Sequence, residues 1–358
     1  MKRKLKAFVL PLILAFTIMS CNKDNQEPNP THAPDSGYIN GYYIVNEGPF
    51  MTGSGTIDFV TRTGKKYQNI YLTSNDGQVL GNLVQSVTII GTQTYIVVNY
   101  ANKIEVVDTK TFRKTGTIEN LPSPRYIIDA DGSNAFISCI DDNSVKIVSL
   151  SGFEIIGSIP VDGPEKMMKV NNNQIWVLSQ GGFSVDSSLT VIDIASKSIL
   201  QTIQVYPQPS GIQQDVNGNI WVMCTGRNAY HPGGNSEGHL VCINPTDYSI
   251  LKDIAFPTIE NHPEELAING TKDVLYYRYP GGIYKLEIDA TEPETTPLVP
   301  RTNGFYTLAY DETDNILYGT DALDYVQNGW IYRYNATDGA IIDSIEAGII
   351  PGEIYFVP

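Results

Sequence analysis

From Tyr42 onward the chain runs in short stretches that alternate apolar and polar residues, rich in β-branched and aromatic side chains. Almost no segment keeps a helical period, so the pattern predicts strands. The clearest unit is SVTIIG, QTYIVVNYA, NKIEVVDTKTF and RKTGTIE, from Ser86 to Glu119. Its four strands, a to d, recur about every 40–45 residues, the size of a propeller blade. The next units read RYIIDADG, NAFISCID, SVKIVSL, FEIIGSI; then KMMKVNN, QIWVLSQ, LTVIDI, ILQTIQV; then GIQQDVNG, NIWVMCT, HLVCINP, ILKDIAF. EELAING, VLYYRY and GIYKLEI follow, with a weak last strand near Pro297 to Val299, and FYTLAYD, NILYGTD, WIYRYNA, AIIDSIE complete six units.

The two ends supply a seventh. GYYIVNEG, GTIDFVT and KYQNIYL match strands b, c and d with no a before them, and PGEIYFVP at the C-terminus matches an a strand with nothing after it. The expected fold is all-β: a seven-bladed propeller of four-stranded blades, closed when the C-terminal strand joins the N-terminal blade. Closure leaves no open sheet edge.

Loop lengths are unequal. The a–b turns (DGSN at 131, NNNQ at 171, VNGN at 216) and c–d turns (DTKTF at 108, NPTDY at 244, NATDG at 335) are short and built of Asn, Asp and Gly, which tolerate turn dihedrals. Strands within a blade alternate in direction, so these turns share one face. The b–c loops and d–a links share the other, and that face receives the long segments 46–55, 179–188, 225–238 and 320–329. Function tends to sit on loops held by a rigid scaffold. The insertion TGRNAYHPGGNSEG between two good strands is therefore a working loop.

Candidate chemistry follows from that face. The b–c loops bring Phe50, Tyr100, Phe183, Tyr230, Tyr279 and Tyr325, with Trp330 at a strand start; the d–a links add Tyr126, Phe305 and Tyr306. Converging aromatics grip a large, flat, partly apolar ligand; about half of these rings are expected to pack between blades instead. Four of the eight arginines, Arg125, Arg227, Arg278 and Arg301, fall on the same face. They suit a ligand bearing exposed oxygens, or else each pairs with an acid such as Asp141, Asp142, Glu264 or Asp324. His231 is the one histidine inside a long loop, where it touches a metal centre or serves as an ordinary polar residue.

The first residues are targeting sequence. Lys2, Arg3, Lys4 and Lys6 precede an apolar run, Ala7 to Met19, too short to span a bilayer, and Ile18-Met19-Ser20-Cys21 resembles a lipoprotein cleavage box. The expected organisation is a signal peptide over 1–20, a flexible polar tether over 21–37 starting at lipidated Cys21, and the propeller over 38–358. Removing residues 1–20 takes away four basic and no acidic side chains, which moves the formal charge from −15 to −19. Nucleic acid is excluded as a partner, because it requires clustered positive charge. Of the other cysteines, Cys139, Cys224 and Cys242, the last two lie on consecutive strands and either pair or act as small buried hydrophobes; the second reading is preferred.

Catalytic constellations are missing: the sequence holds no G-x-S-x-G elbow, no H-E-x-x-H and no P-loop. A calcium-dependent hydrolase would need ligands such as Asn46, Asn99, Asp141 and Asp321 to converge. A binding protein without a cofactor is the expectation, not an enzyme.

With the blades laid out, IVNEGPF, VQSVTII, YIVVNYAN, SPRYI, NGTKDVLYY, TDALDYVQNGWIYRYN and GIIPG resemble the YncE-like seven-bladed surface lipoprotein propellers of gut anaerobes, over about Gly41 to Pro358. Lys23-Asp24 after Cys21 resembles their surface-sorting signal. The resemblance implies an outer-membrane lipoprotein, facing the cell exterior, that binds cobalamin and works with a TonB-dependent transporter; other relatives bind ferric siderophores. It carries over Asn46, Phe50, Tyr100, Arg125, Tyr126, Asp324 and Tyr325 as ligand-binding candidates. Phe183, Arg227, Tyr230, His231, Arg278, Arg301 and Tyr306 join them by position on the face.

Overall fold

The computed structural model describes residues 32–181, 185–302 and 304–358. Seven four-stranded antiparallel sheets account for these residues. Blade 1 pairs Pro351–Val357 with Gly41–Asn46, Thr56–Thr61 and Lys66–Tyr67. The C-terminal strand thus docks innermost against the first strand, in register from Gly41↔Val357 to Val45↔Glu353. Asn46 locks the corner beside it: its Oδ1 accepts the Gly348 N–H at 2.8 Å and its Nδ2 donates to Thr56 Oγ1 at 3.0 Å.

The innermost strands of blades 2 to 7 are Val84–Ile90, Pro124–Asp129, Pro164–Val170, Pro209–Gln214, Glu264–Ile268 and Leu308–Asp311. The second strand of every blade carries an aromatic ring at the same step: Tyr43, Tyr95, Phe136, Trp176, Trp221, Tyr276 and Tyr318, all buried. These rings fill the wedges between blades, where each sheet twists away from its neighbour. The polar ends of the rings have partners. Trp221 Nε1 donates to Asp215 Oδ2 at 2.9 Å, and Asp215 Oδ1 accepts two backbone N–H groups of its own a–b turn.

Two expected strands differ. KYQNIYL pairs only over Lys66–Tyr67 and then forms a short helix, Ile70–Ser74. Asn69 caps that helix through its side chain, Asp58 accepts the Asn69 N–H, and Ile70 and Tyr71 are buried against the blade 1–2 core. The weak strand of blade 6 lies at Val299–Arg301, two residues later than expected. Cys224 stands opposite His239 and Cys242 opposite Trp221, and all three described cysteines are free and buried.

Replacing Asp215 with Ala would strand the Trp221 indole N–H in the core. Urea unfolding should show a loss of about 2–3 kcal/mol, whereas a loss under 0.5 kcal/mol would mean that the turn bonds do not hold this wedge.

Candidate functional site

A repeated backbone device builds the mouth of the central channel. Five d–a links end in proline: Ser123-Pro124-Arg125-Tyr126, Gly163-Pro164-Glu165-Lys166, Gln208-Pro209-Ser210-Gly211, His262-Pro263-Glu264-Glu265 and Ile350-Pro351-Gly352-Glu353. Blades 2 and 7 place Val84 and Phe305 where the others have proline. In six of the seven blades the backbone turns left-handed two residues before the mouth position, at Leu83, Ser123, Gly163, Gln208, Gly304 and Ile350. For a β-branched residue such as Ile350 this is a costly conformation. It is held because the carbonyl it exposes ties down the base of a b–c loop: Glu47 N–H donates to Ile350 O at 2.8 Å, Gln180 to Gly163 at 3.1 Å and Thr225 to Gln208 at 2.9 Å.

A β-bulge follows in six blades, shown by register shifts at Val84/Ser86, Pro124/Ile127, Pro164/Met167, Pro209/Gly211, Glu264/Ala267 and opposite Val45/Asn46. Bulges re-aim side chains at sheet ends. Here they turn two successive residues toward the axis. The first of each pair rims the mouth: Gln85, Arg125, Glu165, Ser210, Glu264, Tyr306 and Gly352. Glu47, Gln180, Gln208, Thr225 and Arg278 complete a polar cavity of about 410 Å³.

Every cation of this mouth has an acidic partner. Arg125 Nε donates to both Glu165 oxygens at 2.9 and 3.0 Å, and its guanidinium also bonds Gln85. Arg278 bonds Glu264 and the Phe305 carbonyl. Lys166 Nζ reaches Glu265 at 2.9 Å. Tyr306 donates to Glu47 Oε1 at 2.9 Å; burial still raises the Glu47 carboxyl, against that bond and the pull of Arg125.

The rim beside blades 7, 1 and 2 is apolar and solvent-facing. Phe50 (56% exposed) meets Tyr100 edge-on at 5.2 Å, Tyr325 (54%) meets Tyr306 at 5.8 Å, and Met51, Leu323 and Val326 stand exposed alongside. A flat aromatic face laid here would cover rings that otherwise face water.

The expected site residues separate into groups. Arg125, Tyr126, Arg278 and Tyr306 line the mouth, and Phe50, Tyr100 and Tyr325 form its aromatic flank. Asn46 does not: at 1% exposure both ends of its amide are committed to the blade 1 corner. Arg301 pairs with Asp321 and lies 4.2 Å from the Tyr332 ring centroid, so it packs blades 6 and 7 together. Asp324 caps its own loop, accepting the Val326 and Gln327 N–H groups, and the Gln327 bonds hold its carboxyl down at about 2. Arg227 is used within the long loop, its Nε donating to Gly234 O at 3.2 Å, and His231 Nδ1 accepts the Gly233 N–H at 2.9 Å. Tyr230, at 96% exposure, projects from that loop. Phe183 lies outside the described residues, as does Cys21. Asn99 holds Ser123 and Pro124, and Asp321 holds Arg301 and Leu323, so these two calcium candidates are spent at blade corners. Of the expected rings, Phe305 is buried between blades and Tyr279 packs on Phe256 and Tyr284.

Glu264, expected as an acid pairing with the arginines of this face, does so with Arg278; Gln85, Glu165, Lys166, Ser210 and Glu265 in the mouth, and Glu353 below it, were not anticipated. For all of them but Gln85, which follows Val84, the signal was present in the proline repeat, since the two residues after each proline are the ones aimed inward.

Glu353 sits below the mouth, where burial pushes its carboxyl up to about 7 while the Val87 N–H and Lys166 pull it down. Between the ordinary value of 4.5 and about 7, the folded chain holds a proton that the unfolded chain has lost. That contribution to stability is complete below the ordinary value and disappears as pH rises through 7. Glu353→Gln should therefore equal the wild type in urea unfolding at pH 4 and exceed it at pH 8, by on the order of 2 kcal/mol. The same gap at both pH values would show that ionisation is not its source.

A family described as Domain of unknown function (DUF5074) matches residues 40–356. No curated protein matches the chain. Among solved structures, a quinonprotein alcohol dehydrogenase-like protein from Bacteroides thetaiotaomicron is 13% identical with a TM-score of 0.68, over 90% of this chain and 79% of that one. A putative 6-phosphogluconolactonase from Bacteroides fragilis is 13% identical with a TM-score of 0.64, over 93% and 100%. The dihydro-heme d1 dehydrogenase NirN, in complex with DHE, is 10% identical with a TM-score of 0.56, over 91% and 77%. At these identities the likeness extends to the fold alone.

Proposed function

The chain belongs to the DUF5074 family, and we propose that it is a surface-exposed lipoprotein that captures a corrinoid of the vitamin B12 type and passes it to a TonB-dependent outer-membrane transporter. The observation that carries this reading is the pairing of an amide- and hydroxyl-rich channel mouth, whose cations are all answered by acids, with an exposed aromatic flank. A cavity of about 410 Å³ suits a ligand arm, not a whole macrocycle. The ligand lies across the rim, its apolar face on Phe50, Tyr100 and Tyr325 and its amide arms in the mouth. A propeller scaffold is compatible with such a role, NirN being seen in complex with DHE.

Charge argues for a corrinoid over the alternative, a ferric catecholate. Around the mouth Arg125, Lys166 and Arg278 are answered by Glu165, Glu265 and Glu264, with Glu47 besides. A trianion would have to displace those acids. The role is binding and not catalysis, and the alternative of a calcium-dependent hydrolase loses three of its four candidate ligands, Asn46, Asn99 and Asp321, to blade corners. Anchoring fits the geometry as well. Tyr38 N–H donates to Lys110 O in a c–d turn, so the chain enters the domain on the short-turn face. A tether from Cys21 then presents the mouth away from the bilayer.

Titration calorimetry of the purified protein with cyanocobalamin is the test. Binding at micromolar concentration or tighter is expected, and the joint change Phe50→Ala and Tyr100→Ala should weaken it about 10–100-fold. Arg227→Ala should alter it less than about threefold. Absence of heat with cyanocobalamin, together with tight binding of a ferric catecholate, would transfer the role to iron acquisition.

A further inference from the structure

The second residues of six of the inward pairs reach below the mouth, and four of them, Tyr126, Lys166, Glu265 and Thr307, line both levels. Tyr126, Lys166, Gly211, Glu265, Thr307 and Glu353 surround a channel cavity of about 200 Å³. That space equals roughly six water molecules. Between blades 4 and 6, blade 5 places Gly211, and so leaves room for Lys166 of blade 4 to reach Glu265 of blade 6 at 2.9 Å, across the missing side chain. That ion pair satisfies both of its members.

Glu353 differs. Its Oε2 accepts the Val87 N–H at 2.8 Å, and the strongest cation near it, Lys166, is bonded to Glu265. The floor therefore holds two carboxylates and one ammonium, with one negative charge in excess. Gln213 also faces the space. Its Nε2 is committed to Leu266 O at 2.8 Å, which leaves its carbonyl oxygen as an acceptor. Tyr126 and Thr307 add hydroxyl oxygens. This is a set of oxygens around an excess negative charge, in a space too small for a bulky ligand. Among the described residues no group of three or more His, Cys, Asp or Glu side chains is placed to hold a metal ion. An ammonium group asks less: a few oxygens within hydrogen-bond reach of its N–H groups, and one carboxylate to balance its charge.

We propose that the channel floor is a second binding site, which takes a primary ammonium group with Glu353 as its counter-ion. The proposal does not rest on the corrinoid reading, because the floor lies beneath the rim where that ligand would sit. It has a defined pH signature. The groups facing Glu353 are Lys166 of blade 4, Glu265 of blade 6, Tyr126 of blade 3 and Tyr355 on its own strand, with Glu47 and Arg125 above. Of these, Lys166 is held protonated by Glu265 despite its burial, and burial pushes Tyr126 up to about 12. Glu353 is then the group that changes charge near neutrality. An ammonium ion must displace its proton below pH 7, so apparent affinity falls about tenfold per pH unit there and levels off above.

The experiment titrates methylammonium chloride into the full-length protein at pH 8 and pH 6, with no corrinoid present. Saturable binding with Kd about 1–10 mM at pH 8, about tenfold weaker at pH 6, supports the proposal. Glu353→Gln should abolish it at both pH values. Lys166→Met, which removes the competing cation, should tighten it severalfold, and this variant keeps the test decisive if Glu353→Gln folds poorly. No saturable binding at pH 8, equal binding by Glu353→Gln, or weaker binding by Lys166→Met would each overturn the proposal.

Discussion

The whole molecule depends on one pairing between the two ends of the chain. Pro351–Val357 supplies the innermost strand of a blade whose other three strands come from residues 41–67. Without it blade 1 would expose the edge of Gly41–Asn46 toward the axis, and the channel would have a missing wall. The pairing also sets positions that no local sequence can set. Gly352 and Glu353 enter the mouth and channel only because the last strand lies next to the first, and Asn46 reaches Gly348 across a separation of 302 residues.

The channel is polar because of how the bulges work. A regular strand aims alternate residues at the axis, whereas each bulge aims two in succession. Seven blades supply the upper ring of residues and six of them the lower one. The upper ring pairs its charges between neighbouring blades, as Arg125 with Glu165. The lower ring pairs across a gap that Gly211 leaves open, as Lys166 with Glu265. Glycine is required at Gly211 for packing as well, since a Cβ there would come within 2.6 Å of Leu266 Cβ. Strain at Ile350 and its left-handed counterparts, five of these six exposing a carbonyl that a b–c loop N–H binds, fixes where those rings begin. Rigid scaffold and polar site are thus consequences of the same backbone motif.

Much of this was legible before any coordinates. The 40–45-residue recurrence gave the blades, the unmatched ends gave the closure, and the unequal loops gave the working face. The short helix at Ile70–Ser74 was missed because Ile70, Tyr71 and Leu72 read as a strand run, and the capping by Asn69 is a local preference that the hydrophobic pattern overshadowed. Site residues were read less well. Asn46 came from a matched string and Arg301 from its position on the working face, yet Asn46 is consumed by Gly348, 302 residues away, and Arg301 by Asp321 of the next blade. Glu165, Glu265 and Glu353 were not among the expected site residues, although the proline before each pair was a usable sign.

The sequence by itself determined the strand order, the blade count and the turn chemistry, because those follow from periodicity and from residues that tolerate particular dihedrals. Only the tertiary structure decided which charges meet and which stay unmatched. Opposite charges on blades about 40 residues apart become partners through ring geometry, and the partner of a side chain across a channel is fixed by distance in space, which a linear pattern does not contain.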